Sequence, residues 1–341
     1  MVAGKVISIQ YLRAFAATLV VFHHAFSIPG VGKAAPFPFG QAGVELFFVI
    51  SGAVMWLTTD TDEKSPWDFW KARVLRVVPL YWLYTSLFAV SAAKALTTTP
   101  LAWNFAYVVK SYFFVPAVNP VNGELQPLYS LGWTLNYEMF FYLLFGLTLF
   151  VPSASRRLGI ILATLILLCA AGYVFPSASP IQETWTAPII LDFAAGIALA
   201  RAAAFLSRLG PGAGAALMIA AVVLAGSSVP FALGLAAAAM VAGAMAMEAL
   251  IRRAPSRFLL FLGNASYSIY LAHPFAQRAF AFFAPAERSS GTSMLALGTV
   301  VGVAGGAAAF LLIERPLARQ LKRLKGAMET SGGVAKQPSI Q

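Results

Sequence analysis

What most constrains this chain is a succession of apolar stretches, each about as long as a bilayer is thick. A helix climbs about 1.5 Å per residue, so roughly 20 apolar residues cross the hydrocarbon core. Ten segments of the 341-residue chain reach or approach that length: about 8–28, 40–59, 74–95, 130–151, 157–175, 185–205, 212–227, 229–250, 264–284 and 293–313. The seventh is short, and Gly226-Ser227-Ser228-Val229-Pro230 turns the chain into the eighth. Segment 101–118 is aromatic but contains Lys110 and Pro116, and reads as an interfacial or re-entrant piece rather than a span. The predicted fold class is all-α: a polytopic integral membrane protein with about ten transmembrane helices and both termini in the cytoplasm.

Composition agrees and removes other classes. Apolar residues make up 59% and charged residues 11%, against about 25% charged in a soluble domain. That excludes a soluble globular protein, a disordered chain and a nucleic-acid-binding domain. The net charge of +11 does not restore nucleic acid as a partner, because the basic residues lie between apolar runs, where they mark cytoplasmic loops. With both termini inside, 18 of the 24 Lys and Arg fall on the cytoplasmic side, among them Lys5, Lys64, Arg73, Arg76, Arg156, Arg157, Arg252, Arg253 and the tail through Lys322, Lys325 and Lys336. Only Lys33, Lys94, Lys110, Arg278 and Arg288 fall outside, and Arg13 lies within the first helix. That first run is broken by Arg13 and by His23-His24, so it reads as a membrane helix and not as a cleaved signal. The lone Cys169 sits in an apolar run, leaves no disulfide framework or cysteine metal site, and reads as packing. No convincing internal repeat supports an inverted-repeat transporter. The expected domains are a transmembrane unit over 1–316 and a basic cytoplasmic tail over 317–341, whose composition is that of a disordered segment.

Ionisable residues at membrane depth are costly and mark candidate sites. Here they are Arg13, His23, His24, Glu45, Glu138, Asp192 and His273. Arg13 and His24 are eleven residues apart, so they share a helix face about 16 Å apart along the axis, while His23 is turned about 100° away. His24 is the better candidate for chemistry, although an interfacial histidine bonded to a neighbour fits equally well from the helix alone. Glu45 begins the second helix at the depth of His24, where a carboxylate can fix the tautomer of a histidine. Gly52 in the same helix reads as a close-packing position. Arg73 and Arg76, followed by Pro79, put two guanidinium forks on one face, suited to a phosphate or pyrophosphate; ordinary positive-inside anchoring accounts for the same pair. Trp133, Asn136, Tyr137 and Glu138 open the fourth span with groups fit to bind sugar hydroxyls or to hold a buried network. In the ninth span Tyr267, Tyr270 and His273 form one polar, aromatic face that either lines a cavity or bridges helices, and Pro274 is expected to kink it. Asp192 has no partner in the sequence pattern, and the motifs suggest no metal.

Six motifs in order resemble the acyltransferase-3 family of bacterial membrane acyltransferases, over about residues 5–316, and most closely the branch that acetylates exopolysaccharides and other surface glycans. They are Gln10-Tyr11-Leu12-Arg13-Ala14 with His24, Gly43 to Gly52, Arg73-x-x-Arg76-x-x-Pro79, Trp133 to Glu138, Ser266 to His273, and Glu314-Arg315-Pro316-Leu317. The resemblance implies ten membrane helices in the bacterial inner membrane and acetyl-CoA drawn from the cytoplasm as acyl donor co-substrate. It assigns essential roles to Arg13 and His24 and donor binding to Arg73 and Arg76. Two departures stand out. Many members have two adjacent carboxylates where this chain has Glu138-Met139. Many also carry a soluble hydrolase-like domain after the last helix, so the expectation is action without one or with a separate partner.

On this reading Arg73, Arg76 and Arg13 bind the phosphates of CoA, and His24 is the general base on a glycan hydroxyl. Glu45 orients His24, while Glu138, Asn136, Tyr137, Trp133, His273 and Tyr270 position the acceptor, a surface polysaccharide or lipid-linked glycan. An acyl-His24 intermediate is the other route. The expected surroundings are membrane lipid, and a homo-oligomer is compatible with the sequence. The competing function is a proton-coupled transporter or flippase of a lipid-linked or anionic substrate.

Overall fold

The computed structural model describes residues 6–32, 34–59, 65–95, 103–284, 290–321 and 323. Lys5, Lys33, Lys64, Arg288, Lys322, Lys325 and Lys336, and the tail from 324 on, lie outside them. The described chain is helical: α1 (Ile7–Ala25), α2 (Phe39–Thr59), α3 (Pro66–Ala95), α4 (Phe105–Tyr112), α5 (Trp133–Thr148), α6 (Ala154–Val174), α7 (Pro180–Trp185), α8 (Leu191–Arg201), α9 (Ala203–Ala225), α10 (Ala232–Ala246), α11 (Glu248–Ile251), α12 (Arg257–Phe283) and α13 (Gly291–Ala309). α13 passes through a π turn at Phe310–Glu314, and helix continues to Leu321, into the first residues of the expected tail.

Six described helical stretches are long and apolar enough to cross a membrane: Phe39–Thr59, Pro66–Ala92, Ala154–Val174, Pro180–Arg201, Ala203–Ala225 and Gly291–Leu321. The other four segments expected to span (8–28, 130–151, 229–250 and 264–284) are helices too, but shorter or more polar. Three of them, α1, α5 and α12, are those that carry Arg13, His24, Glu138 and His273. Segment 101–118 contains the short α4 followed by loop, not a span. It is tied to α3 by Tyr81 Oη donating to Ser111 O at 2.8 Å and by Trp82 Nε1 donating to Tyr112 O at 2.8 Å.

Local chemistry sets the helix ends. Asn104, Ser153, Ser256 and Ser290 accept a backbone N–H of the first turn of α4, α6, α12 and α13. α1 has no such cap of its own. The Glu248 carboxylate supplies one from across the fold, accepting Ile7 N at 3.0 Å and Ser8 N at 2.8 Å. Gly210, with φ 77°, and Pro211 break α9 near its start, where a residue with a Cβ would be strained. α12 runs through Pro274 as one helix.

Small residues let helices close on one another, as expected where no hydrophobic effect drives association inside lipid. α2 and α8 meet at Gly52 and Gly196: a Cβ on either would fall within 2.1 Å of a backbone oxygen of the other helix. An aromatic stack, Phe48–Phe193–Phe141, continues that seam, with centroids 4.6 and 4.3 Å apart. α1 and α12 pack side by side, with Gly263 against Gln10. Three residues further along each helix, Ser266 meets Arg13, so the two run parallel there, with both pairs 253 residues apart.

Candidate active site

α1, α2, α3, α5 and α12 enclose a partly open pocket of about 740 Å³. Its wall carries Arg13, Arg73, Arg76, Glu138, Ser51, Tyr142, Ser266 and Tyr267, and its far end is closed by Val44, Phe47, Thr134 and Tyr270. Arg13 donates from Nε and Nη2 to Ser266 Oγ at 3.2 and 3.0 Å. The Arg73 guanidinium lies over the rings of Phe69 and Tyr142, 5.6 and 5.9 Å from their centroids. Its Nε is buried and has no hydrogen-bond partner among the described residues. Glu138 accepts the Tyr142 hydroxyl, and it accepts Ser51 Oγ at 3.1 Å. Behind the wall, Glu314 accepts the Ser268 hydroxyl, and Tyr267 Oη donates to Val77 O at 2.8 Å, fastening α12 to α3.

The balance of charge in this pocket is cationic. Three guanidiniums face one lining carboxylate, and among the described residues none of the three forms an ion pair within 4.0 Å. Arg13 and Arg73 are half-buried and Arg76 is exposed. A partly buried guanidinium without a matching carboxylate is costly, and a forked donor set of this kind matches phosphate oxygens.

A second polar group lies beyond the far end of the pocket. On α1, His24 is eleven residues past Arg13, and on α12, His273 is seven residues past Ser266, so both are about 10–16 Å further along the helices. Their rings are 5.0 Å apart, with His273 Nε2 3.2 Å from His24 Nδ1. His24 Nδ1 also lies 2.9 Å from Val20 O, and His273 Nδ1 lies 3.0 Å from Ile269 O. His273 is fully buried, whereas His24 is half-buried. Tyr270 stands between pocket and histidines: its ring is 6.2 Å from Phe47 and 6.5 Å from His273. Its hydroxyl donates to Leu131 O at 2.9 Å and lies 2.9 Å from Thr134 Oγ1. His24 does not line the pocket. His23 packs against Gly40 of α2. Among the described residues no set of three His, Cys, Asp or Glu is arranged to hold a metal ion.

The residues singled out in the sequence therefore fall into three places. Arg13, Arg73, Arg76, Glu138 and Tyr270 line one pocket. His24 and His273 form the pair beyond it. Glu45, Asn136, Tyr137 and Trp133 belong to neither. Glu45 accepts Gln41 Nε2 at 2.9 Å and faces Asp192 across Gly234. The two carboxylates lie within 3.4 and 2.6 Å of the point a Gly234 Cβ would occupy. The reason is helix phase. Gly40 and Gly43 of α2 face α1, and Glu45, two residues past Gly43, is turned about 200° from it. Gly40 meets His23 and Gly43 meets Ala16 and Val20, so Glu45 lies about 7.5 Å past the level of His23 as well as on another face, and the hydrogen bonds of His24 go to Val20 and His273. Asn136 is buried, its Oδ1 without a partner among the described residues. Tyr137 packs between Trp133 and Phe48. Ser266 is engaged by Arg13 and Tyr267 by Val77.

Comparison with known proteins fits this arrangement. Residues 6–314 match the Acyl_transf_3 family, described as an acyltransferase domain. The chain is 35% identical over 295 residues to the exopolysaccharide production protein ExoZ of Rhizobium meliloti (strain 1021), covering 83% of this chain and 91% of the relative. No solved structure matches.

Proposed function

Because the chain belongs to the acyltransferase-3 family, we propose that it is a membrane O-acetyltransferase that carries acetyl from cytoplasmic acetyl-CoA to a hydroxyl of a surface glycan, an exopolysaccharide or lipid-linked oligosaccharide at the opposite face. The observation that carries this reading is the three-arginine pocket with no ion-pair partner among the described residues, lying one step short of a histidine pair. Arg73 and Arg76 hold the CoA phosphates at the mouth, and Arg13, steadied by Ser266, holds a deeper anionic group. The bias of basic residues toward the loops at the same end as Arg73 favours the cytoplasm as that side. Glu138 belongs on this reading to the donor pocket, where it keeps Tyr142 and Ser51 in place beside the arginines.

The pantetheine arm enters the bundle between Phe47 and Tyr270, and the thioester reaches His24. The Nε2 atom of His24 takes the proton of the glycan hydroxyl as the oxygen attacks the acetyl carbon. The ester C–O bond forms, the thioester C–S bond breaks, and the departing thiolate takes the proton back from His24. The ExoZ relative is named for exopolysaccharide production, which supports a polysaccharide acceptor here.

The test is acetyl-CoA turnover by purified protein in detergent, followed as thiol release with and without glycan. Arg73→Ala/Arg76→Ala is expected to raise the donor Kd by roughly 10–100-fold, the loss of charge-assisted hydrogen bonds, and His24→Ala to abolish acceptor-dependent release. Absence of acetyl-CoA binding in the wild type would instead favour a transporter.

A further inference from the structure

The chain has three histidines, and all three lie together: the rings of His23 and His24 are 5.6 Å apart and those of His24 and His273 are 5.0 Å apart. The hydrogen-bond partners settle where the ring protons of two of them must be. Ile269 O can only accept, so His273 Nδ1, 3.0 Å away, carries a hydrogen. Val20 O can only accept, so His24 Nδ1, 2.9 Å away, carries one as well. The short contact between the rings joins His273 Nε2 to that same His24 Nδ1, at 3.2 Å. A hydrogen on His273 Nε2 would set two N–H groups against each other, so this atom is the bare lone pair and the ring is neutral. Every polar atom of the contact is then satisfied.

We infer that His273 is a positioning residue for His24: it accepts the Nδ1–H of His24 and thereby leaves Nε2 as the free lone pair that takes the acceptor proton. The inference rests on the proposed role of His24 as base. Inside α1 Val20 O also receives the backbone N–H of His24 four residues on, so the ring N–H shares that oxygen, whereas His273 Nε2 offers it a lone pair of its own. Among the described residues, His273 Nε2 is the acceptor directed at the ring from another element. When His24 Nε2 gains a proton, the same Nδ1–H now belongs to an imidazolium, and its bond to a neutral lone pair strengthens. The arrangement does for His24 what a buried carboxylate does in a hydrolase triad, with a neutral ring in its place. His273 is fully buried while His24 is half-buried, so of the two rings it is His24 that is open to an acceptor.

Two substitutions separate this role from a structural or substrate-binding one. His273→Leu removes the lone pair and keeps an apolar side chain of comparable bulk. His273→Gln returns an acceptor oxygen near the place of Nε2. His273→Leu is expected to lower kcat by roughly 10–100-fold, with the donor Kd and glycan KM unchanged, and His273→Gln is expected to recover most of the loss. A second readout is 15N NMR of histidine-labelled protein, in which three ring systems are assigned by single variants. In the wild type, His24 and His273 are expected as neutral Nδ1–H tautomers, whatever the enzyme's activity. A raised glycan KM with unchanged kcat in His273→Leu, a Gln variant as slow as the Leu variant, or a proton found on Nε2 of either ring overturns the inference. If His24→Ala itself retains full transfer, the proposed base is wrong, a result distinct from normal turnover in His273→Leu alone.

Discussion

The parallel contact of α1 and α12 holds Arg13 where it is, and a single methyl group tests this. In Gly263→Ala the new Cβ would lie 2.1 Å from Gln10 O and 2.8 Å from its carbonyl carbon. Ordinary contact begins near 3.4 Å, so the two backbones must part by about 1.3 Å at this point. Neither atom belongs to a flexible side chain that could turn away. Overpacking of this kind costs about 1–3 kcal/mol. Arg13 and Ser266 lie one turn further along both helices, and contacts of 3.0 and 3.2 Å cannot absorb such a shift and stay within 3.5 Å. A hydrogen bond to a charged group contributes about 1.5–3 kcal/mol, and losing half of that raises the donor Kd about tenfold or somewhat less. The assay pairs a thermal unfolding midpoint in detergent with acetyl-CoA binding by calorimetry. Gly263→Ala should lower the midpoint and weaken binding together. Ser266→Ala removes the hydroxyl without parting the helices, so it should weaken binding with little change in midpoint. If Gly263→Ala changes neither quantity, the close approach of the helices does not position Arg13 and the argument fails.

Two further substitutions test features outside the pocket. Glu248→Ala leaves Ile7 N and Ser8 N without their acceptor and should destabilise the protein by about 1–3 kcal/mol, read as a lowered thermal midpoint; an unchanged midpoint would mean that water replaces the cap at no cost. Asp192→Asn replaces one of two facing carboxylates by a group that can donate to Glu45, so the midpoint should rise, whereas a fall would show that the negative charge of Asp192 is needed where it lies.

Much of this was legible in the sequence, and what was not has a common cause. The helical class and the positions of ten apolar segments follow from run length alone, and the structure places a helix at each. The segment 101–118 was readable as no span because Lys110 and Pro116 interrupt it. Arg13, Arg73 and Arg76 come together because charge and helix spacing constrain them strongly. Phase within one helix was legible, since Arg13 and His24 both face α12, whereas the register and facing of one helix against another were not. Glu45 sits about 7.5 Å past the level of His23, and Gly40 and Gly43 turn a different face of α2 toward α1; these two glycines three residues apart were the signal that Glu45 points the other way. Glu138 follows the same logic in reverse: it begins α5 near groups suited to sugar, yet its phase points it at Ser51 and the arginine pocket. His273 read as one of a polar row with Tyr267 and Tyr270, while the structure gives each a different partner: Val77 O, Thr134 and His24. Which helix lies opposite a residue depends on contacts between segments some 250 residues apart in sequence, as in the pairing of His24 with His273 at a separation of 249. No local pattern carries that information.

On the proposed function acetyl enters at the arginine end and is delivered at the histidine end. The direct measurement uses proteoliposomes with labelled acetyl-CoA sealed inside and glycan acceptor only outside, for wild type, His24→Ala and Arg73→Ala/Arg76→Ala. Label is expected on the external glycan for the wild type alone, with free CoA accumulating inside in step. Label appearing outside as intact acetyl-CoA, or transfer only when donor and acceptor share one compartment, would contradict it.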